Sequence, residues 1–520
     1  MSRSVRAAGM IIAGLGGLSP FSTENGAAEL FSSCSRAGIR AYLFPGFLLK
    51  EPERLRRLSA AARGAAREAG LGPALVAIGG HGTPAFGLPP FPLAPSPLGL
   101  ASSRSVQAAR RAGFLLGSRL AACDVDLVLS PSLDLASDPK DIAGALDGFG
   151  EDARLAGLLG AAFARGLSRA GVAACVGRFP GLGSTSRDSY EGMAFVSLPV
   201  ERLERCEMRP FARVVAAGAE AVFVGRVLVP ALESERIPAS ASARVIEGRL
   251  RESLGFRGLV IGDDVGPGED VGRAAVLGAL AGCDLCLFSR PSEALVAAAA
   301  LEKAAATGEL PAVRVETGRR RLESVLMKRP KSVPRRGPIP RRLVERAMRD
   351  IESGLSLLRG SLALDPGAMG DYADSLVLVF APGRAAPEAG QAERVLAALR
   401  AELPGAEIRE LPADPGPGDT DELLRLIGTG ASFSNAVILT YDAHFRPAQE
   451  GLARLVGELI PRYRVIAMRD PYDAAFFPSA LGLGAAYGFS EACARAVGRL
   501  LSGKFKARGG RPVEVIGLEI

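Results

Sequence analysis

Val172-Ala-Ala-Cys-Val176 runs directly into Gly177-Arg-Phe-Pro-Gly-Leu-Gly-Ser-Thr-Ser-Arg-Asp-Ser-Tyr190. The first five residues are small and apolar, as suits a strand covered on both faces. The residues from Gly177 onward are rich in Gly, Pro, Ser and charge, the composition of a loop. A polar loop on the end of a buried strand is where an α/β protein places its chemistry.

Working outward, the same pattern recurs. Short apolar runs occur at Met10–Gly14, Arg40–Phe44, Ala74–Ile78, Val125–Leu129, Val172–Val176, Ala221–Gly225, Gly258–Gly262 and Asp284–Phe288. Each is bounded by Gly, Pro or polar residues, as buried parallel strands are. Helical patterns lie between them, among them Glu53–Ala69, Ser105–Ala121, Glu151–Ala170 and Ser242–Leu254. Eight strand–helix units are the number that closes a (β/α)8 TIM barrel. In such a barrel the site is built from loops after the C-terminal strand ends. Those loops begin at Gly79, Ser130, Gly177, Arg226, Asp263 and Ser289, and carboxylates stand out at Asp188 and at Asp263-Asp264.

The last barrel helix is read through Arg319–Lys328. The stretch Lys328 to Arg342 holds four prolines and a run of cations, which makes it an extended, solvated linker. Leu343–Leu358 reads as a helix leading onward. Alternation then resumes, with strands expected at Ser375–Phe380, Ala406–Leu411, Asn435–Tyr441 and Arg464–Met468. Helical patterns there include Gly390–Glu402, Pro447–Ile460 and Ser490–Leu501. The fold expected is therefore α/β throughout, a barrel followed by a smaller α/β sandwich. Its bounds are a barrel over 1–328, a basic linker and connecting helix over 329–370, and the sandwich over 371–520.

Composition excludes several functions. The net charge of +7 is concentrated in the linker and accompanies no nucleic-acid motif, so no nucleic-acid partner is expected. Seven cysteines without regular spacing do not make a disulfide framework. Cys283-Asp-Leu-Cys286 lies in an apolar run read as a strand, where residues three apart face opposite ways, so two buried thiols are expected rather than a metal site. His444 is read as a structural histidine. No cofactor and no metal are implied. No apolar run is long enough to span a membrane. Met10–Leu18 is read as a first strand and a cytoplasmic chain is favoured, an exported form with an N-terminal signal being the alternative.

The loop at 177–190 resembles the hallmark of glycoside hydrolase family 3, in its β-N-acetylglucosaminidase branch. That branch carries Lys-His-Phe-Pro-Gly-His-Gly-Asp-Thr followed by Asp-Ser-His. Phe179-Pro-Gly181, Gly183, Thr185 and Asp188-Ser189 stand in the same register. Leu129-Ser-Pro-Ser-Leu-Asp134, Ile237-Pro-Ala-Ser240 and Leu254-Gly-Phe-Arg-Gly-Leu-Val-Ile-Gly-Asp-Asp264 are similar to further family segments. Arg469-Asp-Pro-Tyr-Asp473, Ala486-Tyr487 and the stretch from Gly503 to Pro512 look like the C-terminal domain of the two-domain members.

The resemblance implies retaining hydrolysis of a β-linked sugar, in which a carboxylate attacks the anomeric carbon and water later displaces it. It implies Asp263 as the nucleophile, and Asp188 with Tyr190 in the place of the family's Asp–His acid/base pair. The ligand implied is carbohydrate, an amino-sugar glycan or cell-wall fragment, with Arg178, Arg226, Asp134 and His81 at sugar-binding positions; no oligomeric state is implied.

Departures from the family pattern cluster on the sugar-holding side chains. Tyr190 replaces the acid/base His, and with an ordinary pKa of about 10 it is a poor proton donor for this task. Gly177-Arg178 replaces Lys-His, while Leu182 and Ser184 replace the second His and the Asp after it. Gly79-Gly-His-Gly-Thr83 lacks the family's carboxylate, Asp147-Gly-Phe-Gly150 replaces Arg-Ser-Phe-Gly, and Arg226 replaces a His. Each lost hydrogen bond to a buried hydroxyl costs about 1–3 kcal/mol. These losses favour a divergent, catalytically impaired homologue that binds a glycan or a partner. The alternative is an active glycosidase of altered substrate, with Asp263 as nucleophile and a replacement acid such as Glu191 or Glu269. An electrostatic binder using the basic linker is the weakest of three. At least one guanidinium, Arg178 or Arg226, is expected to pair with Asp263 and blunt it.

Overall fold

The structure is a computed structural model that describes residues 6–16, 24–79, 94–136, 147–185, 193–264, 269–328, 340–366, 371–383, 386, 388–428 and 433–515. It divides into two compact units. The first takes in most of the chain up to residue 338. The second takes in 339–520 together with 86–108 and 149–152.

The eight apolar runs of the first unit are its eight barrel strands. They are β1 (Ile11–Gly14), β2 (Ala41–Phe44), β3 (Leu75–Gly79), β4 (Leu127–Leu129), β5 (Ala173–Phe179), β6 (Ala221–Val224), β7 (Leu259–Gly262) and β8 (Leu285–Phe288). They form a closed barrel in chain order, and Ile11 of β1 opposite Cys286 of β8 completes the ring. Alternate residues share a face. Leu75 and Ala77, Leu127 and Leu129, Ala173 and Cys175, Ala221 and Phe223, Leu259 and Ile261, and Leu285 and Leu287 meet in one buried cluster, the packed interior. Leu322 and Val325 of the helix Ala312–Met327 close against that cluster. The expected Ser242–Leu254 helix is present as a π-helical segment, Arg244–Ser253.

Leu30 to Cys34 falls inside the helix Glu24–Ala37, and Cys34 is buried. Cys283 and Cys286 are buried too, with Cys283 Sγ 3.2 Å from the Ser240 carbonyl oxygen. Among the described residues, no cluster of His, Cys, Asp and Glu is arranged to hold a metal, and no helix is long and apolar enough to cross a membrane.

Among the described residues the second unit is built on a six-stranded sheet, against the four strands expected. They are β9 (Ser356–Gly360), β10 (Ser375–Ala381), β11 (Glu407–Pro412), β12 (Asn435–Thr440), β13 (Tyr463–Ala467) and β14 (Gly482–Ala485). The sheet order is β9-β14-β13-β12-β10-β11, parallel except for β9, which runs antiparallel to β14. The expected Leu343–Leu358 helix ends earlier, at Gly354, and its last residues enter β9. His444 is less isolated than its sequence neighbourhood suggests. Its Nδ1 lies 2.7 Å from Asp473 Oδ1 and its Nε2 lies 3.8 Å from Asp470 Oδ2, both carboxylates coming from the Arg469–Asp473 motif after β13.

Candidate functional site

Asp263 sits one residue beyond β7, two past Ile261 and four past Leu259, so it continues the inward-facing row of that strand. The period-two pleat alone therefore brings its carboxylate over the mouth of the barrel. Two main-chain donors hold it there. The Asp264 N–H donates to Oδ1 at 2.8 Å and the Arg226 N–H donates to Oδ2 at 3.2 Å. Burial pushes the carboxyl up to about 6, against the lowering effect of those two N–H groups and of the Arg178 charge. Asp264 faces another way, its Oδ2 accepting from the Ser289 N–H at 2.7 Å.

The expected guanidinium pair on Asp263 is not formed among the described residues. Arg178 instead donates from Nε to Asp134 Oδ2 at 2.8 Å. Arg226 turns its head toward the loop after β7, with Nη2 3.6 Å from Glu269 Oε1. The reason is local. Asp134 is itself 1% exposed and needs a cation close by, and Arg178, near the end of β5, lies beside it.

Asp134 also accepts the Leu182 N–H at 2.8 Å and the Ser132 hydroxyl at 3.2 Å. Both its oxygens are thus engaged by protein donors. In this geometry Asp134 pins the 178–185 loop against the end of β4. The loop's glycines have steric reasons. Gly181 has φ +124°, and a Cβ on Gly183 would lie 1.7 Å from the Leu135 carbonyl oxygen. Cis peptide bonds at Ser130-Pro131, Gly177-Arg178 and Phe179-Pro180 lie in the same region. Leu182, at a family His position, is buried, with its methyl groups against Gly225. Thr185 caps the turn by donating to the Leu182 carbonyl at 2.8 Å.

Asp188, Tyr190, Glu191 and His81 lie outside the described residues. Downstream of Asp188 and Tyr190, Ala194–Phe195 pairs in parallel with Val227–Leu228, immediately after Arg226. The returning end of that loop is thereby tied to the β6 end that holds Asp263. Sequence reasoning located Asp263, Arg178, Arg226 and Asp134 at the barrel mouth. It missed the two N–H donors, which leave no mark in side-chain identity, and the Arg226–Glu269 pair, whose partners are 43 residues apart.

Comparison with known proteins places the chain in a family and a fold. The family model described as the glycosyl hydrolase family 3 N terminal domain matches residues 37–325. A β-hexosaminidase of Xylella fastidiosa is 35% identical over 183 residues, 34% of this chain and 53% of that protein. One from Bordetella pertussis is 35% identical over 194 residues, 36% of this chain and 54% of that protein. The chain thus spans about half the length of the curated relatives it matches. Among solved structures, a glycoside hydrolase family 3 β-N-acetylglucosaminidase from Paenibacillus superposes with a TM-score of 0.87 at 25% identity, covering 99% of both chains. A β-glucosidase from Listeria innocua shares the fold at a TM-score of 0.78 and 17% identity, over 99% of this chain and 75% of that one.

Proposed function

Because the chain belongs to glycoside hydrolase family 3, we propose that it is a retaining β-glycosidase of the β-hexosaminidase type with an altered sugar preference. One observation carries this reading. Asp263 is held by two main-chain N–H groups, and among the described residues no guanidinium forms an ion pair with it, so the carboxylate stays available for attack. With a pKa of about 6 it is ionised at neutral pH and more basic than an ordinary aspartate.

An Asp263 oxygen attacks the anomeric carbon as the bond to the leaving oxygen breaks, giving a glycosyl ester. Water then attacks the same carbon and releases Asp263 as a carboxylate. The leaving oxygen needs a proton, and the segment around Asp188 and Tyr190 is the family's place for that donor. Main-chain donors suit Asp263 because they orient the carboxylate without neutralising it as a bidentate arginine would.

The test is turnover of chromogenic β-N-acetylglucosaminide, β-glucoside and related glycosides by wild type and Asp263→Asn. Activity abolished by Asp263→Asn, with a glycosyl adduct on Asp263 in mass spectra of wild type quenched during turnover, supports the reading. Turnover that survives Asp263→Asn overturns it. A second reading, a glycan-binding protein without turnover, draws on buried Leu182 and on Asp134, whose oxygens are both engaged. Saturable glycan binding with no hydrolysis on the whole panel would favour it.

A further inference from the structure

Arg226 is the least settled cation at the barrel mouth. Its side chain is only 8% exposed, yet its Nε is buried with no hydrogen-bond partner among the described residues. Among the described residues its head is paired with Glu269, and at 3.6 Å that contact is an ion pair longer than a hydrogen bond. Glu269 itself is 37% exposed and so is free to turn outward. The same residue's main-chain N–H holds Asp263. The Arg226 backbone is therefore fixed at the reacting carboxylate, while its guanidinium is buried, charged and incompletely met.

A buried guanidinium with unmet donors is costly unless a ligand completes it. Its planar fork matches a carboxylate, which can accept two parallel hydrogen bonds. A neutral hydroxyl offers a single acceptor and no charge. Arg178, by contrast, is already committed to Asp134 at 2.8 Å. The discrimination between charged and neutral sugars therefore falls on Arg226.

Resting on the glycosidase reading above and naming its substrate class, we propose that Arg226 selects a pyranoside bearing a carboxylate, and that Glu269 occupies the guanidinium until such a sugar displaces it. The sugar's carboxylate takes the place of Glu269 on Arg226, Glu269 swings into water, and the anomeric carbon is left to Asp263.

The pair makes opposite predictions for its two members. Binding is measured by calorimetry on the Asp263→Asn protein, which holds the sugar without consuming it. The probes are 4-nitrophenyl β-glucuronide and β-galacturonide, each against its neutral 6-hydroxyl counterpart and against the β-N-acetylglucosaminide. The expected result is that at least one uronide binds about tenfold or more tighter than its neutral counterpart, a difference of about 1.4 kcal/mol. Adding Arg226→Met removes that ratio. Adding Glu269→Gln raises uronide affinity several-fold by deleting the internal competitor. Circular dichroism and melting of each variant establish that it is folded, and Arg226→Lys, which keeps the charge but not the fork, restores only part of the ratio.

Neutral sugars binding as well as uronides, or no binding of any probe, overturns the proposal. So does a loss of uronide affinity in Glu269→Gln equal to that in Arg226→Met, which would mean that the pair is only structural. If uronides bind selectively but wild type hydrolyses none of the panel, the hydrolytic reading fails and the Arg226 assignment stands.

Discussion

Both units of this protein end their parallel strands in clustered carboxylates, and the two clusters are built on opposite terms. At the barrel mouth, the hydrogen bonds that hold Asp263 among the described residues come from main-chain N–H groups, and it remains half-buried. In the second unit, Asp473 is fully buried, with Oδ1 taken by the His444 ring and main-chain N–H and Oδ2 by the Thr440 hydroxyl at 2.6 Å. Around it Asp442 pairs with Arg469 at 2.6 Å, and the Tyr441 hydroxyl donates to Glu388 at 2.8 Å. A carboxylate enclosed by side-chain partners is a fastening; one oriented by the backbone keeps its charge and a free approach. The same difference bears on how substitution would affect the barrel site. The donors that position Asp263 belong to the main chain and survive any substitution other than proline.

The sharpest way to break the contrast is to remove one carboxylate from each cluster. Asp263→Asn is expected to lower turnover by about 10³-fold or more, since a nucleophile is deleted outright, while its melting temperature at pH 7.5 does not fall. Asp473→Ala is expected to do the reverse. It leaves His444 and Thr440 facing a buried void and costs about 3–5 kcal/mol of stability in urea unfolding. Should Asp473→Ala prove neutral in stability, or Asp263→Asn retain full turnover, the two clusters would not differ as described.

Asp134→Ala tests whether the barrel mouth contains a fastening of its own. Asp134 joins Arg178, Ser132 and the Leu182 N–H, so its loss removes a salt bridge and leaves a main-chain donor unmet. An expected stability loss of about 3 kcal/mol should come with faster proteolysis after residue 178, because the loop loses its anchor. If limited proteolysis and unfolding match wild type, Asp134 is not the pin, and its carboxylate is open to direct contact with sugar.

Much of this architecture was legible because buried parallel strands write continuous apolar runs. The eight barrel strands fall where those runs lie, within a few residues. β14 was not legible because Gly482-Leu-Gly-Ala485 reads as a turn. A Cβ on Gly482 would lie 2.1 Å from the Ser361 carbonyl oxygen, so the glycine is there for close approach and not for a bend. β9 was hidden by the helix pattern running into it, since Leu355, Leu357 and Leu358 fit either period. In the site, pleat and loop position located Asp263, but the partners of Arg178 and Arg226 did not follow from the sequence. Long flexible side chains choose among nearby carboxylates by tertiary distance, which spacing along the chain does not encode. For the same reason His444 looks solitary in the sequence, with Asp470 and Asp473 only 26 and 29 residues ahead.

The smallest expected effects lie in pH dependence, and they separate the clusters by kind. Asp263, near 6, must be ionised to attack, so kcat/KM should fall tenfold per pH unit below about 6. Its pKa is above the unfolded value of about 3.8, so its contribution to stability is full below that value and is lost as pH rises through 6. Asp263→Asn should therefore raise the melting temperature at pH 7.5 and leave it unchanged at pH 3.5. In the second unit, burial, with the Asp473 charge adding to it, pushes Asp470 up to about 7, against the His444 charge. Burial alone would lower His444, but the Asp473 hydrogen bond and the Asp470, Asp473 and Asp442 charges together hold it above its ordinary value. Both groups then stabilise the fold on the acid side, Asp470 losing its contribution as pH climbs through 7 and His444 as pH climbs past 6.5 and through its own raised value. Asp470→Asn should accordingly flatten the decline in melting temperature between pH 5 and 8 without shifting the acid limb of kcat/KM. An acid limb that moves with Asp470→Asn, or a melting profile as steep as wild type, would show that the two clusters titrate together and that the division drawn between them is wrong.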